Sequence, residues 1–307
     1  MKKSLLFILL IAVALLFLFI YTENMGKTTE KKQAAHYFKR DASSLLSPDR
    51  FLIIAHRGAS GYAPEHTIEA YKKGEELAAD YIEIDLQMTN DGRLVAMHDI
   101  DLGRTTGEDG EVREFTLDEL KDFDVGTWFN QSNPELAEPV FAEQSIPALE
   151  EIFDTFGHEA NYYIETKNPK YYPEMAKELI RILDAYNLLG ETVDEGKVII
   201  QSFSEQSLRE IHDVEPSLPL IQLISFDDEA KLNKRAIRNI KHYAVGIGVN
   251  YQAITKDFAG KIHKADLLLH AFTVNEKTEI NRLKEFGITG VFTDYPDILK
   301  TRQEVIP

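Results

Sequence analysis

Beyond Phe51 the chain alternates between two apolar patterns. One is a run of strand length. Phe51–Ala55, Tyr81–Gln87, Arg93–Met97, Tyr162–Thr166, Lys197–Ser202, Leu218–Ile224, Val245–Val249, Leu267–Thr273 and Gly290–Thr293 read this way. The other has helical spacing, over Thr67–Ala78, Pro147–Phe156, Pro173–Leu188, Glu205–Asp213, Asp227–Ile240, Ile254–Lys264 and Glu276–Phe286. Thr67 and Ser204 suit helix N-caps, and Gly287 suits a C-terminal stop. Strands alternating with helices predict a parallel sheet. Eight staves plus one extra strand, within 307 residues, fit a (β/α)8 TIM barrel. The count leaves open which strand stands outside the closure. Residues 99–146 break the rhythm. They are rich in Gly, Asp and Glu, carry the sole Trp, Trp128, and read as an insertion over one end of the barrel.

The second and third strands are joined by Thr89-Asn90-Asp91-Gly92. A parallel crossover needs a dozen residues or more, so the connection is a hairpin. Asp-Gly is a favoured two-residue turn. If Asp91-Gly92 is that turn, Asn90 pairs with Arg93, Asp85 faces His98, and Glu83 faces Ile100.

The chain's start has its own pattern. Met1-Lys2-Lys3 precedes an almost unbroken apolar run, Ser4–Tyr21. The run is close to the roughly 20 residues of a spanning helix and longer than a usual signal-peptide core. Ala12-Val13-Ala14 has a small-x-small form but lies inside the run, and the exit at Tyr21–Met25 offers no good cleavage site. Residues 1–21 therefore read as an N-terminal hydrophobic helix serving as a signal anchor, with a cleaved signal peptide as the alternative. Lys2 and Lys3 favour an inside N-terminus and an outside bulk. Residues 22–48 are polar and Lys-rich and read as a linker, and residues 49–307 as the barrel domain.

Charge narrows the partners. The net charge is −17, and it is uneven. Residues 1–50 hold 8 of the 34 Lys+Arg and 4 of the 51 Asp+Glu, which leaves 26 basic and 47 acidic residues beyond, a balance of −21. So acidic a domain is a poor partner for nucleic acid and is repelled by an anionic membrane surface. An anionic substrate would need local attraction, from a metal, Arg57 and Lys167. There is no Cys, which excludes disulfides and thiol nucleophiles and fits an exported protein without requiring one.

In such a barrel functional residues stand at the C-terminal ends of strands. His56, Glu83, Asp85, Glu165, Lys167, Ser202 and Asp294 stand at or near such ends. Side chains alternate along a strand, so Glu83 and Asp85 point the same way, about 7 Å apart. Two carboxylates so placed repel unless a cation or proton lies between them. With Glu165 they form a three-carboxylate set suited to a hard cation, Ca²⁺ or Mg²⁺. His56 and His98 are the candidates for proton transfer. Arg57 can grip a phosphoryl oxygen or pair with Glu65. Glu65 is open between supporting the site and capping a helix. The remaining histidines, His66 included, are assigned to surface or packing.

These residues carry a resemblance. His56-Arg57-Gly58, Pro64-Glu65-His66-Thr67, Glu83-Ile84-Asp85, His98-Asp99, Ile164-Glu165-Thr166-Lys167, Gln201-Ser202-Phe203, Phe272-Thr273-Val274-Asn275 and Gly290–Pro296 follow in the order of the glycerophosphodiester phosphodiesterase family. The chain resembles that family over roughly residues 51–300. It departs at His66, where the family usually has Asn, and at Phe272, where it usually has Trp. The resemblance implies hydrolysis of glycerophosphodiesters to glycerol 3-phosphate and an alcohol. It implies a metal held by Glu83, Asp85 and Glu165, with His56 and His98 as acid and base. Polymeric teichoic-acid glycerol phosphate is among the substrates it leaves open. A phospholipid-cleaving relative is disfavoured by the acidic domain, and a non-catalytic glycerol-phosphate binder by the intact histidines and carboxylates.

Overall fold

The computed structural model describes residues 44–190 and 196–300. The expected hydrophobic helix over residues 1–21, and the linker up to residue 43, lie outside the described residues. Among the described residues no helix is long and apolar enough to cross a membrane.

Nine strands are described: β1 (Leu52–Ala55), β2 (Tyr81–Met88), β3 (Leu94–Ala96), β4 (Tyr162–Thr166), β5 (Val198–Ser202), β6 (Leu220–Ile224), β7 (Gly246–Asn250), β8 (Leu268–Phe272) and β9 (Gly290–Thr293). They run in the order β1-β9-β8-β7-β6-β5-β4-β2-β3, and β1 also pairs with β2. The pairing is parallel except between β2 and β3. Eight parallel strands thus close a barrel, as expected, and β3 is the extra strand outside it. β2 manages three neighbours because β1 takes its first half, at Tyr81 and Ile82, and β3 its last, at Leu86–Met88.

All eight residues of β2 are buried, and alternation divides them between two cores. Ile82, Ile84, Leu86 and Met88 join Ile164, Ile200, Ile247, Leu269 and Val291 in the layer between the sheet and the helices. Tyr81, on the opposite face, packs inside the barrel. Its ring lies 5.6 Å from that of Tyr163, which lies 5.0 Å from Phe292 and donates to or accepts from His270 Nδ1 at 2.8 Å. Glycines on facing strands make room for this plug: a Cβ on Gly290 would lie 3.0 Å from the His270 ring, and one on Gly246 2.7 Å from Leu268. The barrel is filled below, so the inward residues further along β2 and β4 form a floor open only towards the strands' C-terminal ends.

The helices of the outer layer are α1 (Ile68–Glu76), α5 (Leu149–Phe156), α6 (Met175–Ala185), α7 (Glu205–Val214), α8 (Lys234–Ile240), α9 (Lys256–Lys264) and α10 (Lys277–Phe286). Thr67 and Ser204 cap α1 and α7 through their hydroxyls, and Gly287 ends α10 in the left-handed conformation, as expected. The helix expected from Asp227 begins seven residues later. Asn233 Oδ1 accepts from Arg235 N and Ala236 N, and Ala230 N donates to Ala253 O, so the preceding residues are tied elsewhere.

The expected hairpin register is off by one. Leu86 pairs with Ala96, Gln87 with Val95 and Met88 with Leu94, and Thr89 N donates to Arg93 O at 2.9 Å. Asp85 therefore faces Met97, whose N donates to Asp85 O at 2.9 Å. A two-residue Asp-Gly turn needs positive φ at both residues, but here Gly92 has φ 79 and Asp91 is not among the positive-φ residues. The loop is the three-residue type with one left-handed residue. Thr89 Oγ1 stabilises it by accepting from Arg93 N at 2.9 Å.

Between β3 and α5 lie three short helices, α2 (Gly103–Thr106), α3 (Leu117–Lys121) and α4 (Thr127–Ser132). The apolar residues of this segment form two small cores. Met97, Leu102, Val112, Leu120, Val125 and Ile146 pack on Val95 of β3. Phe129 and Phe141 pack with Ala63 and Ala70, beside the loop that follows β1.

Candidate active site

The loop after β1 turns twice on strained backbone. Arg57 and His66 have φ of 59 and 56, a region in which non-glycine residues are uncommon and Asn is enriched. The two are joined by His66 N donating to Arg57 O at 3.0 Å. Gly58, with φ 81, has no alternative, since a Cβ there would lie 2.6 Å from the backbone of Ala70. This path aims Arg57 N at Glu83 Oε2, 2.7 Å away.

Glu83, Asp85 and Glu165 are all buried, at 1, 1 and 6% exposure. Asp85 and Glu165 are register partners across β2 and β4. Gln201 Nε2 donates to Glu83 Oε1 at 3.2 Å. Asp85 Oδ2 lies 3.0 Å from His66 Nε2 and 3.6 Å from Arg57 Nε. Lys167 Nζ lies 3.2 Å from Glu165 Oε1 and 3.8 Å from Asp85 Oδ1. Asp85 Oδ1, Arg57 Nε and Gln201 Oε1 are buried without a hydrogen-bond partner.

Electrostatics divides the three carboxylates. Burial, then repulsion from Asp85 and Glu165, pushes Glu83 well above the usual carboxylate range. Burial and Asp85 push Glu165 up to about 8. Burial also opposes charge on Asp85, but Lys167, His66 and Arg57 outweigh it and hold it well below its ordinary value. The protein groups alone thus leave the cluster unable to ionise fully at neutral pH. Three buried oxygen donors, one oxygen of Asp85 unpartnered, fit a hard divalent cation.

His66 was expected at the surface or in packing. It is instead 3% exposed and part of this cluster. One of its ring nitrogens and a carboxylate oxygen from each of Glu83 and Asp85 lie within 4.8 Å of one another, so it could itself join a metal site. Its ring is already engaged, however. Nδ1 lies 2.8 Å from the buried Tyr71 hydroxyl and Nε2 faces Asp85. A buried hydroxyl that failed to donate would be costly. With Tyr71 donating to Nδ1, Nε2 carries the hydrogen and donates to Asp85, so His66 orients that carboxylate.

Each candidate histidine has a carboxylate on Nδ1. His56 Nδ1 lies 2.7 Å from Asp294 Oδ1, and Ser60 Oγ and Asn275 Nδ2 donate to the same carboxylate at 3.0 and 2.5 Å. His98 Nδ1 lies 2.6 Å from Asp99 Oδ1. Such a bond fixes ring orientation and tautomer and leaves Nε2 for chemistry. Burial pushes His98 down to about 4, with Arg57 and Lys167 assisting and Asp85 and Asp99 opposing. Glu65 caps no helix. It pairs with Arg57 at 2.9 Å and with Arg104.

Arg57, Lys167, the three carboxylates, Gln201, His56 and His98 line one cavity of about 160 Å³, together with Phe203, Leu223, Phe272, Thr273 and Phe292. One wall is charged and the other apolar, with the rings of Phe203 and Phe272 meeting edge to face at 5.9 Å.

Residues 56–298 match the glycerophosphoryl diester phosphodiesterase family. This chain belongs to that family. It is 49% identical over 255 residues to a glycerophosphodiester phosphodiesterase of Bacillus subtilis (strain 168), covering 83% of this chain and 87% of the relative. It is 34% identical over 250 residues to one of Caldanaerobacter subterraneus, covering 81% and 96%. Among solved structures, it is similar to an Oleispira antarctica phosphodiesterase in complex with the product sn-glycerol-3-phosphate. The TM-score is 0.69 and the identity 25%, over 80% of this chain and 94% of that one. The chain is a glycerophosphodiester phosphodiesterase, a phosphoric diester hydrolase. The sequence places Asp294 at a strand end but carries no signal for its role, nor for Tyr71, Arg104 or the link from His66 to Asp85.

Proposed function

We propose that this phosphodiesterase cleaves glycerophosphodiesters to glycerol 3-phosphate and an alcohol by two-histidine acid–base catalysis beside a divalent cation. The observation that carries the reading is the pair of carboxylate-backed histidines lining one cavity with three buried carboxylates. Glu83, Asp85 and Glu165 would hold Ca²⁺ or Mg²⁺, which when bound supplies positive charge to a developing phosphorane. Arg57 and Lys167 grip the phosphoryl oxygens, Arg57 through the guanidinium edge not taken by Glu65.

His98, held neutral, is the base. It takes the proton from the attacking hydroxyl as the new O–P bond forms. His56 is then the acid. It gives its Nε2 proton to the alkoxide oxygen as the P–O bond to the head group breaks. The neighbouring glycerol hydroxyl attacks first, and water then opens the cyclic phosphate with the two roles exchanged. The apolar wall of Phe203, Leu223 and Phe272 faces the C–H surface of the glycerol. The small-molecule substrate is a glycerophosphodiester, and teichoic-acid glycerol phosphate presents the same group. The product bound to the Oleispira relative supports this substrate class.

The test is turnover of glycerophosphocholine, with glycerol 3-phosphate detected, first in EDTA and then with Ca²⁺ or Mg²⁺ restored. Activity should vanish and return. Full turnover in excess chelator would falsify the metal assignment.

Export is the second part of the reading. It rests on Lys2 and Lys3 before the Ser4–Tyr21 apolar run, which would keep the enzyme on the outer membrane face by an uncleaved helix. N-terminal sequencing of the mature protein should find that run retained. A chain beginning between Tyr21 and Phe51, recovered from the medium, contradicts the anchor and leaves secretion by a cleaved signal.

A further inference from the structure

Glu65 receives two guanidinium groups. Arg57 Nη1 donates to Oε1 at 2.9 Å, and Arg104 donates through Nη2 to Oε1 at 2.8 Å and through Nη1 to Oε2 at 2.7 Å. The remaining Nε of Arg104 donates to Asp99 Oδ2 at 2.6 Å, and Asp99 Oδ1 holds His98 Nδ1 at 2.6 Å. One arginine therefore bridges the carboxylate behind Arg57 and the carboxylate behind His98. Glu65 comes from the loop after β1. Asp99 and Arg104 come from the segment after β3, Arg104 within α2. The chain thus ties together two parts of the site that are independent in sequence. The charges agree with the geometry: despite burial, Arg104 and Arg57 hold Glu65 down at about 2.

We infer that Arg104 is a positioning residue, which sets the phosphate-gripping edge of Arg57 and the basic nitrogen of His98 relative to each other. The inference rests on the proposed roles of those two residues. Arg104 reaches them only through Glu65 and Asp99. A planar fork with three donors in fixed directions suits this bridge and an ammonium does not. Misplacing a catalytic group by about 1 Å costs on the order of 10²-fold in rate. The Arg104 side chain is 44% exposed and solvent-screened, and the 11%-exposed Glu65 keeps its bond to Arg57 when Arg104 is removed, so only part of the stability that Glu65 contributes is lost. Function and stability should therefore separate.

The experiment compares wild type, Arg104→Ala and Arg104→Lys in steady-state turnover of glycerophosphocholine, in calorimetric binding of sn-glycerol 3-phosphate, and in melting temperature. Arg104→Ala should lose about 10²-fold in kcat/KM, shared between weaker ester binding and lower kcat, while melting within a few degrees of wild type. Millimolar guanidinium should restore part of the loss, because the vacated site opens to solvent. Arg104→Lys should stay low. Combined with Asp99→Asn or Glu65→Gln, the losses should be less than additive. Arg104→Ala activity within twofold of wild type overturns the inference. So does a loss that tracks the melting temperature and ignores guanidinium, or one fully additive with both partners. Wild-type protein that neither turns over nor binds these esters overturns the functional reading, and the positioning role falls with it.

Discussion

At the scale of single residues, the proposed division of roles between the two histidines rests on their different surroundings. Each has a carboxylate at its Nδ1, Asp294 on His56 and Asp99 on His98. Burial, assisted by Arg57 and Lys167, brings His98 down to about 4. A base works only when deprotonated. The acidic limb of kcat/KM should therefore fall as pH drops through about 4, and not through the 6.5 of an ordinary imidazole. His56→Ala and His98→Ala should each lower kcat by about 10²–10⁴-fold, and the double variant by less than the product. A substrate with an activated aryl leaving group needs little help from an acid. It should partly rescue His56→Ala and leave His98→Ala slow. Equal rescue of both variants, or near-normal turnover by His98→Ala, contradicts the assignment.

At the scale of elements, what the sequence made legible was whatever had a period. The eight staves, the outer helices and the caps at Thr67 and Ser204 followed from runs and spacings, and β4 and β9 fall at their expected boundaries. Residues 99–146 resisted because α2, α3 and α4 have 4, 5 and 6 residues, too short to display a 3.6-residue period. Arg104 was lost with them. The β2–β3 register failed for a different reason. Asp-Gly serves two loop lengths, and the choice was made by Thr89, whose hydroxyl accepts from Arg93 N. His98 reaches the site all the same, beyond the end of β3 and not from within the ladder. The His56–Asp294 pair spans 238 positions and exists because β9 lies beside β1 with Thr293 opposite Ala55. Strand patterns imply closure but do not fix that register. His66 was misjudged because nothing in a linear pattern shows a left-handed residue whose ring is fixed by Tyr71 and turned on Asp85.

At the scale of the whole molecule, the barrel concentrates unfavourable charge at its open end, which couples stability to pH and would couple it to a bound cation. Glu165 sits at about 8 in the fold against an ordinary 4.5, and Glu83 is displaced the same way. Between pH 4.5 and 8 the folded protein without cation holds protons that the unfolded chain has released. Stability from these groups is fully present below 4.5 and is lost as pH rises through 8. Glu65 acts oppositely. Held down at about 2 by its two arginines, it contributes stability above 4.5 that is lost as pH falls towards 2. In chelator, the melting temperature should therefore rise as pH is lowered from 8 to about 5, then fall below about 4.5. A cation bound by these carboxylates requires their ionised forms, so binding at pH 7 should release protons. It should also raise the melting temperature more at pH 8 than at pH 5. Calorimetric titration with Ca²⁺ or Mg²⁺ in two buffers of different ionisation enthalpy measures the protons directly. An observed enthalpy independent of buffer, together with a chelated melting temperature unchanged from pH 5 to 8, excludes the carboxylate cluster as the cation's seat and leaves the activity to be explained by the histidines and Arg57 alone.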